Sequence, residues 1–403
     1  MKNKYVLTVL TVIFGITVMF LPQRCIFKTK TLDQLKVGFV YIGDTATAYT
    51  NNFYRSQIEL EDALGAKVQT VAKFNIKDFD DSCEKALEDL VAQGCKLIFT
   101  TSYGYGEATK LMALKYPGVQ FCHASGEMAN QAPVLPNFHN FMGQIYEGRY
   151  VSGVVAGMKL RELILQGKLK RSAAKIGYVG AYPYPEVISG YTAFFLGVKS
   201  IVNEVQMSVR YTNTWSNHII EKKAAEKLIE EGCVIISQHS DTTGPAIACE
   251  EASIKKGKTV FHVGYNQSMT DVAPTTSLVS SRINWTPYVM AAAQATISGK
   301  RIESVVKSHL KGNDACAGFD KDWIEILGLN RIIAARGTEE EITRVKNNFK
   351  NGKVVVFSGN YVGENPNDTE DLWDLRTPFI ENETTSAPRF CYVLRDFIKV
   401  EEE

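Results

Sequence analysis

The chain contains an internal repeat that spans much of its length. Three apolar segments of the first half recur in the same order in the second half, each displaced by about 140 residues. The matched segments are residues 37–41 with 176–180, 90–98 with 228–236, and 119–123 with 258–262. Unrelated strands would rarely share one displacement, so the repeat predicts two copies of one folding unit.

Each copy alternates short apolar runs with longer amphipathic stretches, and the short runs end in Gly, Ser, Asp or Pro. This alternation is typical of βαβ units around a parallel sheet. We therefore predict an α/β protein of two doubly wound parallel-sheet lobes, joined by several chain crossings that form a multi-strand hinge. The 403 residues are enough for two such domains.

The pattern also predicts where the lobes begin and end. Lobe 1 is predicted over residues 37–165, with about 286–315 returning to it. Lobe 2 is predicted over residues 172–284, with part of 316–358. Residues 359–403 form a C-terminal extension. The segment 146–157 reads as a helix with small residues on one face, so we expect it to pack closely on lobe 1 before the chain crosses. Late strands are predicted at 353–357 and within 390–400.

Residues 1–30 predict an export signal or membrane anchor. Lys2 and Lys4 precede an uncharged apolar run over residues 5–21, which is the layout of such a segment. Cys25 is a candidate for lipidation, although Pro-Gln-Arg at 22–24 replaces the small residues that a lipobox requires. Either a lipid or an uncleaved apolar segment would hold the protein on the extracytoplasmic face of the cell membrane.

Charge and composition limit the partners. Lys and Arg number 45 against 44 Asp and Glu, and no basic run is long enough to neutralise a series of phosphates. We therefore expect no nucleic acid as partner. No Cys or His spacing is typical of a metal site, and we predict neither metal nor cofactor. We expect the protein to be a monomer.

Candidate ligand contacts follow the predicted strands, because doubly wound lobes bind ligands beyond the carboxyl ends of their strands. These segments are rich in aromatic, hydroxyl and amide side chains, with Asp241 as the conspicuous carboxylate. Such a set suits a flat, neutral, heteroaromatic ligand whose faces stack and whose edge forms hydrogen bonds. The predicted ligand-binding residues are Thr45, Tyr49, Tyr103, Tyr182, Trp215, Asp241, Asn266 and Trp285.

Two alternatives compete with this interpretation. Asp241 could instead cap the helix that begins near it, with Thr242 or Thr243 as the competing caps. The run from His239 to Asp241 could suggest an enzyme, but the chain has no Gly-x-Ser-x-Gly elbow, His-Glu-x-x-His pair or phosphate loop. We therefore predict a binding protein and not an enzyme.

Several motifs, spread in order over the chain, carry a family resemblance. They are IFTTSYG at 98–104, IYEGRY at 145–150, IGYV at 176–179, PEVISG at 185–190, NTW at 213–215, QHSD at 238–241 and NWTPY at 284–288. With them the sequence resembles the basic membrane protein family of ABC-transporter substrate-binding lipoproteins. Members of that family are purine-nucleoside or purine-base receptors of the type I periplasmic-binding-protein fold.

The resemblance implies roles for individual residues. Tyr49 takes the place of a stacking Trp, Tyr182 that of an aromatic residue in an Ala-Phe-Pro turn, and Asp241 that of the carboxylate that anchors the purine. Trp215 and Asn266 fall on further cleft positions. The implied function is delivery of a purine base or nucleoside to ABC permease subunits. The alternative is a ligand-sensing receptor domain that signals to a membrane partner.

Overall fold

A computed structural model describes residues 32–401. The predicted anchor over residues 1–30 and the lipidation candidate Cys25 lie outside these residues and stay predictions. Within residues 32–401 no helix combines the length and the apolar character that a membrane crossing needs.

The described chain forms strands and helices in alternation through both halves. The strands are β1 (Leu35–Val40), β2 (Val68–Lys73), β3 (Leu97–Thr100), β4 (Gln120–Ala124), β5 (Phe138–Gly143), β6 (Lys175–Gly180), β7 (Gln206–Tyr211), β8 (Ile235–His239), β9 (Phe261–Tyr265), β10 (Ser277–Ile283), β11 (Asp314–Ala317), β12 (Ile324–Leu327), β13 (Val362–Asn365), β14 (Asp368–Asp374) and β15 (Ile398–Val400). The helices are α1 (Ala48–Leu64), α2 (Ser82–Ala92), α3 (Gly106–Lys115), α4 (Ile145–Leu165), α5 (Pro185–Lys199), α6 (His218–Glu230), α7 (Gly244–Lys256), α8 (Thr286–Ile297) and α9 (Thr338–Lys350).

The strands form two large sheets, one in each lobe. The lobe 1 sheet has six parallel strands in the order β11-β5-β4-β3-β1-β2. The lobe 2 sheet has seven strands in the order β12-β10-β9-β8-β6-β7-β15, with only the β10-β12 pair antiparallel. The order β5-β4-β3-β1-β2 thus recurs as β10-β9-β8-β6-β7. The predicted fold class of two doubly wound lobes is confirmed.

The central strands are buried because helices cover both of their faces. Every residue of β3 (LIFT) and of its counterpart β8 (IISQH) is buried. Continuous burial is typical of parallel sheets, where a strand has no solvent-facing side. The polar residues that follow these strands therefore mark where the chain reaches the edge of the core.

The helix that first links the lobes packs on lobe 2. We predicted that segment 146–157 packs on lobe 1, and this prediction is wrong, because α4 lies against α5 and β10. A Cβ atom on Gly153 would lie 2.1 Å from the Phe194 carbonyl oxygen, and one on Gly197 would lie 2.1 Å from the Tyr150 carbonyl oxygen. The small residues therefore do serve a close helix contact, but with the other lobe.

The chain returns to lobe 1 through α8, which packs on α1 and β1, and it then enters β11 before crossing again to β12.

The predicted strand at 353–357 is wrong. These residues are irregular, and their apolar character serves burial, since Phe357 stacks on Phe390 with ring centroids 4.0 Å apart. In the C-terminal region β13 and β14 form an antiparallel hairpin. Of segment 390–400, only β15 forms a strand, in parallel with β7 at the edge of lobe 2.

Candidate ligand-binding cleft

A cleft lies between the lobes, beyond the carboxyl ends of the parallel strands. Lobe 1 contributes Ile42, Tyr49, Thr101, Ser102, Tyr103 and Ser125. Lobe 2 contributes Glu186, Trp215, His239, Asp241 and Tyr265.

Helix α1 of lobe 1 forms hydrogen bonds with lobe 2. The backbone N–H of Ala48, at the start of α1, donates to the carbonyl oxygen of Asp241 over 3.1 Å. The Asn52 side-chain amide donates to the carbonyl oxygen of Ile283 over 2.9 Å. Because these two hydrogen bonds join lobe 1 to lobe 2, the structure is a closed arrangement of the lobes.

Asp241 offers an unpaired carboxyl group to the cleft. Its backbone N–H donates to the Trp215 carbonyl oxygen over 2.8 Å, but no donor among residues 32–401 binds its carboxyl group. Burial, reinforced by the carboxyl groups of Glu221 and Glu186, raises the pKa of Asp241 well above its ordinary value, and Arg149 opposes this shift. A shielded carboxyl group without a partner is a strong acceptor for a ligand N–H group.

The loop that carries Asp241 is held by buried polar side chains. The Glu221 carboxylate accepts hydrogen bonds from the Ser240 hydroxyl (2.8 Å), the Thr242 hydroxyl (2.7 Å) and the Thr242 N–H (3.1 Å). Gln238 donates from its amide to the carbonyl oxygens of Ser240 and Thr242. These bonds fix the residues on both sides of Asp241, so its carboxyl group is oriented before any ligand arrives.

The same geometry bears on the capping alternative for Asp241. Helix α7 begins at Gly244, and the hydroxyl of Thr242 accepts the N–H of Gly244 over 3.1 Å. The Asp241 carboxyl group accepts no N–H of this helix turn. The N-cap residue Thr243 forms no side-chain hydrogen bond to the helix either, and the Asp241 side chain lines the cleft.

Tyr49 forms the main aromatic surface on the lobe 1 side. Its hydroxyl donates to the Thr101 carbonyl oxygen over 2.6 Å, and burial raises its pKa well above the ordinary value, so the phenol stays neutral. The ring meets Phe53 and Trp285 edge to face, with centroids 5.5 Å and 6.5 Å away. This packing fixes the plane of the ring and leaves one side of it toward the cleft.

A buried cation lies beneath the lobe 2 wall. The Arg149 guanidinium lies 3.5 Å from the centroid of the Tyr265 ring, and its Nη1 donates to the Gln238 carbonyl oxygen over 2.8 Å. His239 Nε2 lies 3.3 Å from a Glu186 carboxylate oxygen. Burial and then Arg149 lower the pKa of His239 to about 4, so the imidazole is neutral and donates to Glu186 near pH 7.

The structure brings together half of the predicted ligand-binding residues and separates the rest. The cleft is lined by Tyr49, Tyr103, Trp215 and Asp241, whereas Thr45 is exposed outside it. Tyr182 lies at the rim, stacked on Tyr184 with centroids 5.1 Å apart. Asn266 is buried beside the cleft in a left-handed conformation (φ 63°), and Trp285 is buried behind Tyr49, stacked on Phe53 at 4.0 Å.

Sequence reasoning left out other residues that line the cleft. These are Ile42, Thr101, Ser102, Ser125, Glu186, His239 and Tyr265. All of them except Glu186, which lies in the first turn of α5, are at or just after strand ends, so the positional rule that selected Asp241 applies to them too. The rule places a residue at the edge of a sheet, but it does not say which side chains turn toward the other lobe.

The catalytic alternative loses its geometric basis at His239. The hydroxyl of Ser240 donates to Glu221, and the His239 ring pairs with Glu186, so no histidine activates this serine. Within residues 32–401 no cluster of His, Cys, Asp and Glu could hold a metal ion. The arrangement fits ligand capture between two walls.

Comparison with known proteins agrees with this geometry. The family model described as "ABC transporter substrate-binding protein PnrA-like" matches residues 46–356. A purine-binding protein of Brucella abortus is 34% identical over 268 residues, which cover 66% of this chain and 70% of that protein. A putative ABC transporter glucose-binding protein of Haloferax volcanii is 26% identical over 306 residues, covering 76% and 69%.

Solved structures of other proteins share the fold. An ABC transporter solute-binding protein from Aeropyrum pernix superposes with a TM-score of 0.61 at 14% identity, covering 79% of this chain and 92% of that one. A transcriptional activator of the comK gene from Bacillus halodurans gives a TM-score of 0.60 at 20% identity, covering 78% and 97%. At these identities the likeness concerns the fold alone.

Proposed function

We propose that the interlobe cleft binds a purine base or nucleoside. The chain belongs to the Bmp family of PnrA-like ABC transporter substrate-binding proteins, and the proposal proceeds from that membership. The observation that carries this proposal is the unpaired carboxyl group of Asp241 in an aromatic cleft. The purine-binding relative from Brucella abortus supports the same class of ligand.

The chemistry of the two walls matches that of a purine. Rings of Tyr49, Tyr103 and Trp215 line the cleft, and such rings stack well on a flat heteroaromatic ligand. A purine carries N–H donors at its edge, and Asp241 and Glu186 supply carboxylate acceptors within the same space. A ligand without ring N–H or amino donors would leave Asp241 unpaired when the cleft closes, at a cost in binding free energy of about 1 to 3 kcal/mol or more.

Membership of the family also supports a role in transport. In this proposal the closed, ligand-bound protein docks on ABC permease subunits at the extracytoplasmic face of the cell membrane and releases its ligand there. Residues 1–30 would tether the protein to that membrane, and it would act as a monomer. No cofactor takes part in this cycle.

Native mass spectrometry followed by calorimetry tests the ligand. The full chain, purified in detergent, is examined for a co-purified small molecule and is then titrated with adenine, guanine, hypoxanthine, adenosine and glucose. The proposal predicts saturable binding of at least one purine and none of glucose. A co-purified sugar mass, or glucose binding without purine binding, would refute the purine assignment.

Reconstitution tests the transport role separately. The protein is added to liposomes that contain candidate ABC permease and ATPase subunits from the same organism, and uptake of the identified ligand is measured. We expect ligand uptake and ATP hydrolysis that depend on the added protein. Ligand binding with neither response would favour the sensing alternative.

A further inference from the structure

Two tyrosines on opposite lobes face each other at the mouth of the cleft. Tyr103 follows β3 of lobe 1, and Tyr184 precedes α5 of lobe 2; their ring centroids lie 6.4 Å apart with 37° between the planes. Tyr103 is 50% exposed and Tyr184 is 38% exposed. Tyr103 also lines the cleft. A residue that is half exposed and yet lines the cleft lies at the boundary between the cleft and the solvent.

Each of these rings is supported by its own lobe. Tyr184 stacks on Tyr182, with centroids 5.1 Å apart and 15° between the planes. On the other side, the Ser102 hydroxyl donates to the Asp78 carboxylate over 2.8 Å. A Cβ atom on Gly104 would lie 2.6 Å from the Asp78 Cβ, so this glycine lets the loop press against Asp78. Each ring is therefore carried by a segment that packs against its own lobe.

The ring contact exists only when the lobes are closed, because its two members belong to different lobes. Opening the cleft would separate the rings and expose both to water. A contact that is present in the closed state and absent from the open state slows opening and leaves ligand entry unaffected. Aromatic pairs of this kind are expected to change an opening rate by about twofold to tenfold.

We infer that Tyr103 and Tyr184 form a latch that holds the cleft closed over its ligand and sets the rate of ligand release. The inference rests on the proposed function in that it requires a ligand between the lobes, but it does not depend on which ligand. Tyr184 acts here as a positioning residue, since it does not line the cleft.

Stopped-flow kinetics with adenine as the probe tests the latch. Trp215 lines the cleft, so its fluorescence is the signal to follow. Tyr184→Ala is expected to raise the dissociation rate about twofold to tenfold while the association rate stays unchanged. Tyr103→Ala removes the latch and a cleft wall together, so the decisive result is the double variant. Its dissociation rate should match that of Tyr103→Ala alone, because the contact is already lost.

Matched variants keep this test specific. Tyr103→Phe and Tyr184→Phe retain the rings and should keep the slow dissociation of the wild type. Additive effects of the two alanine substitutions, or an unchanged dissociation rate in Tyr184→Ala, would overturn the latch.

Cross-linking separates failure of the latch from failure of the proposed function. If adenine does not bind the wild type, the purine proposal fails, but the closed mouth can still be examined without ligand. A Tyr103→Cys/Tyr184→Cys pair should form a disulfide faster than a Leu114→Cys/Tyr184→Cys pair, in which the lobe 1 cysteine lies at the far end of α3, at an exposed site. Equal rates would overturn the inference.

Discussion

Tyr103 of lobe 1 and Asp241 of lobe 2 occupy equivalent positions of the internal repeat, each just after the strand that lies beside the first strand of its sheet. The same loop thus presents a neutral ring from one lobe and a carboxyl group from the other. The two walls of the cleft also differ in whether their polar groups already have hydrogen-bond partners. The hydroxyls of Tyr49 and Ser125 on lobe 1 donate to carbonyl oxygens of their own lobe, whereas the Asp241 carboxyl group has no partner among the described residues. In our account lobe 2 anchors the ligand and lobe 1 covers it.

Asp241→Asn should have the largest effect on binding. The substitution keeps the size of the side chain but replaces a carboxylate oxygen by an N–H donor that would face the ligand's own donor. We expect adenine affinity to fall about 100-fold, which corresponds to an unpaired buried donor. Isothermal titration calorimetry measures this, with the exposed Asp271→Asn of the same lobe as control. If Asp241→Asn bound adenine as tightly as the wild type, Asp241 would not be the group of lobe 2 that anchors the ligand.

Tyr49→Ala should have the next largest effect, because it removes the main ring of the covering lobe. Base stacking on protein aromatics contributes about 1 to 3 kcal/mol, so affinity should fall about tenfold. Tyr49→Phe keeps the ring and loses only the hydrogen bond to the Thr101 carbonyl oxygen, so its loss should be smaller. A larger loss in Tyr49→Phe than in Tyr49→Ala would show that the hydroxyl, and not the ring, serves the ligand.

Glu221→Gln should weaken binding from a distance. Its new amide would face the hydroxyl and N–H donors of Ser240 and Thr242, and the loop around Asp241 would lose its fixed shape. We expect about a threefold to tenfold loss of adenine affinity and a lower unfolding temperature, since buried donors lose their acceptor. Glu230→Gln on the exposed face of the same helix is the control. Thermal unfolding and calorimetry measure the two effects. An unfolding temperature and an adenine affinity both equal to those of the wild type would contradict the prediction.

Thr45→Ala should have the smallest effect. The residue is exposed and does not line the cleft, although the sequence predicted a ligand contact there. Substitutions at such positions change stability by about 0.5 kcal/mol or less, and we expect affinity within about twofold of the wild type. A loss as large as that of Tyr49→Ala, measured by the same calorimetry, would mean that the loop 43–47 folds over the ligand.

The repeat and the strand pattern were sufficient to predict the two lobes and the position of Asp241. Both follow from local signals: burial on two faces makes a strand apolar, and the polar residue at its end lies where the cleft must be. The partner lobe of α4 was not predictable in this way. Its glycines indicate a close contact, but nothing local states that the contact is with Gly197 of α5.

The support of the site was also beyond reach from sequence. Glu221 lies within a charged helix segment and reads as a solvent-exposed residue, yet it is buried and accepts hydrogen bonds from the Asp241 loop. Trp285 was predicted to touch the ligand because of its motif, whereas it is stacked on Phe53 behind Tyr49. Both outcomes depend on tertiary packing between segments far apart in the chain, which residue periodicity does not encode.

Proton release on binding tests whether the Asp241 carboxylate receives a ligand N–H group. Because the pKa of Asp241 is raised in the free protein, the group holds a proton more readily than an ordinary carboxyl group. A ligand donor favours the ionised form, so binding should release this proton, and affinity should rise with pH through the raised pKa and then level off. Calorimetry of adenine binding in buffers of different ionisation enthalpy, over a pH series upward from the ordinary carboxyl pKa of about 4, measures the release. We expect proton release by the wild type and none by Asp241→Asn; adenine binding by the wild type with no proton release anywhere in the series would rule out this role for Asp241.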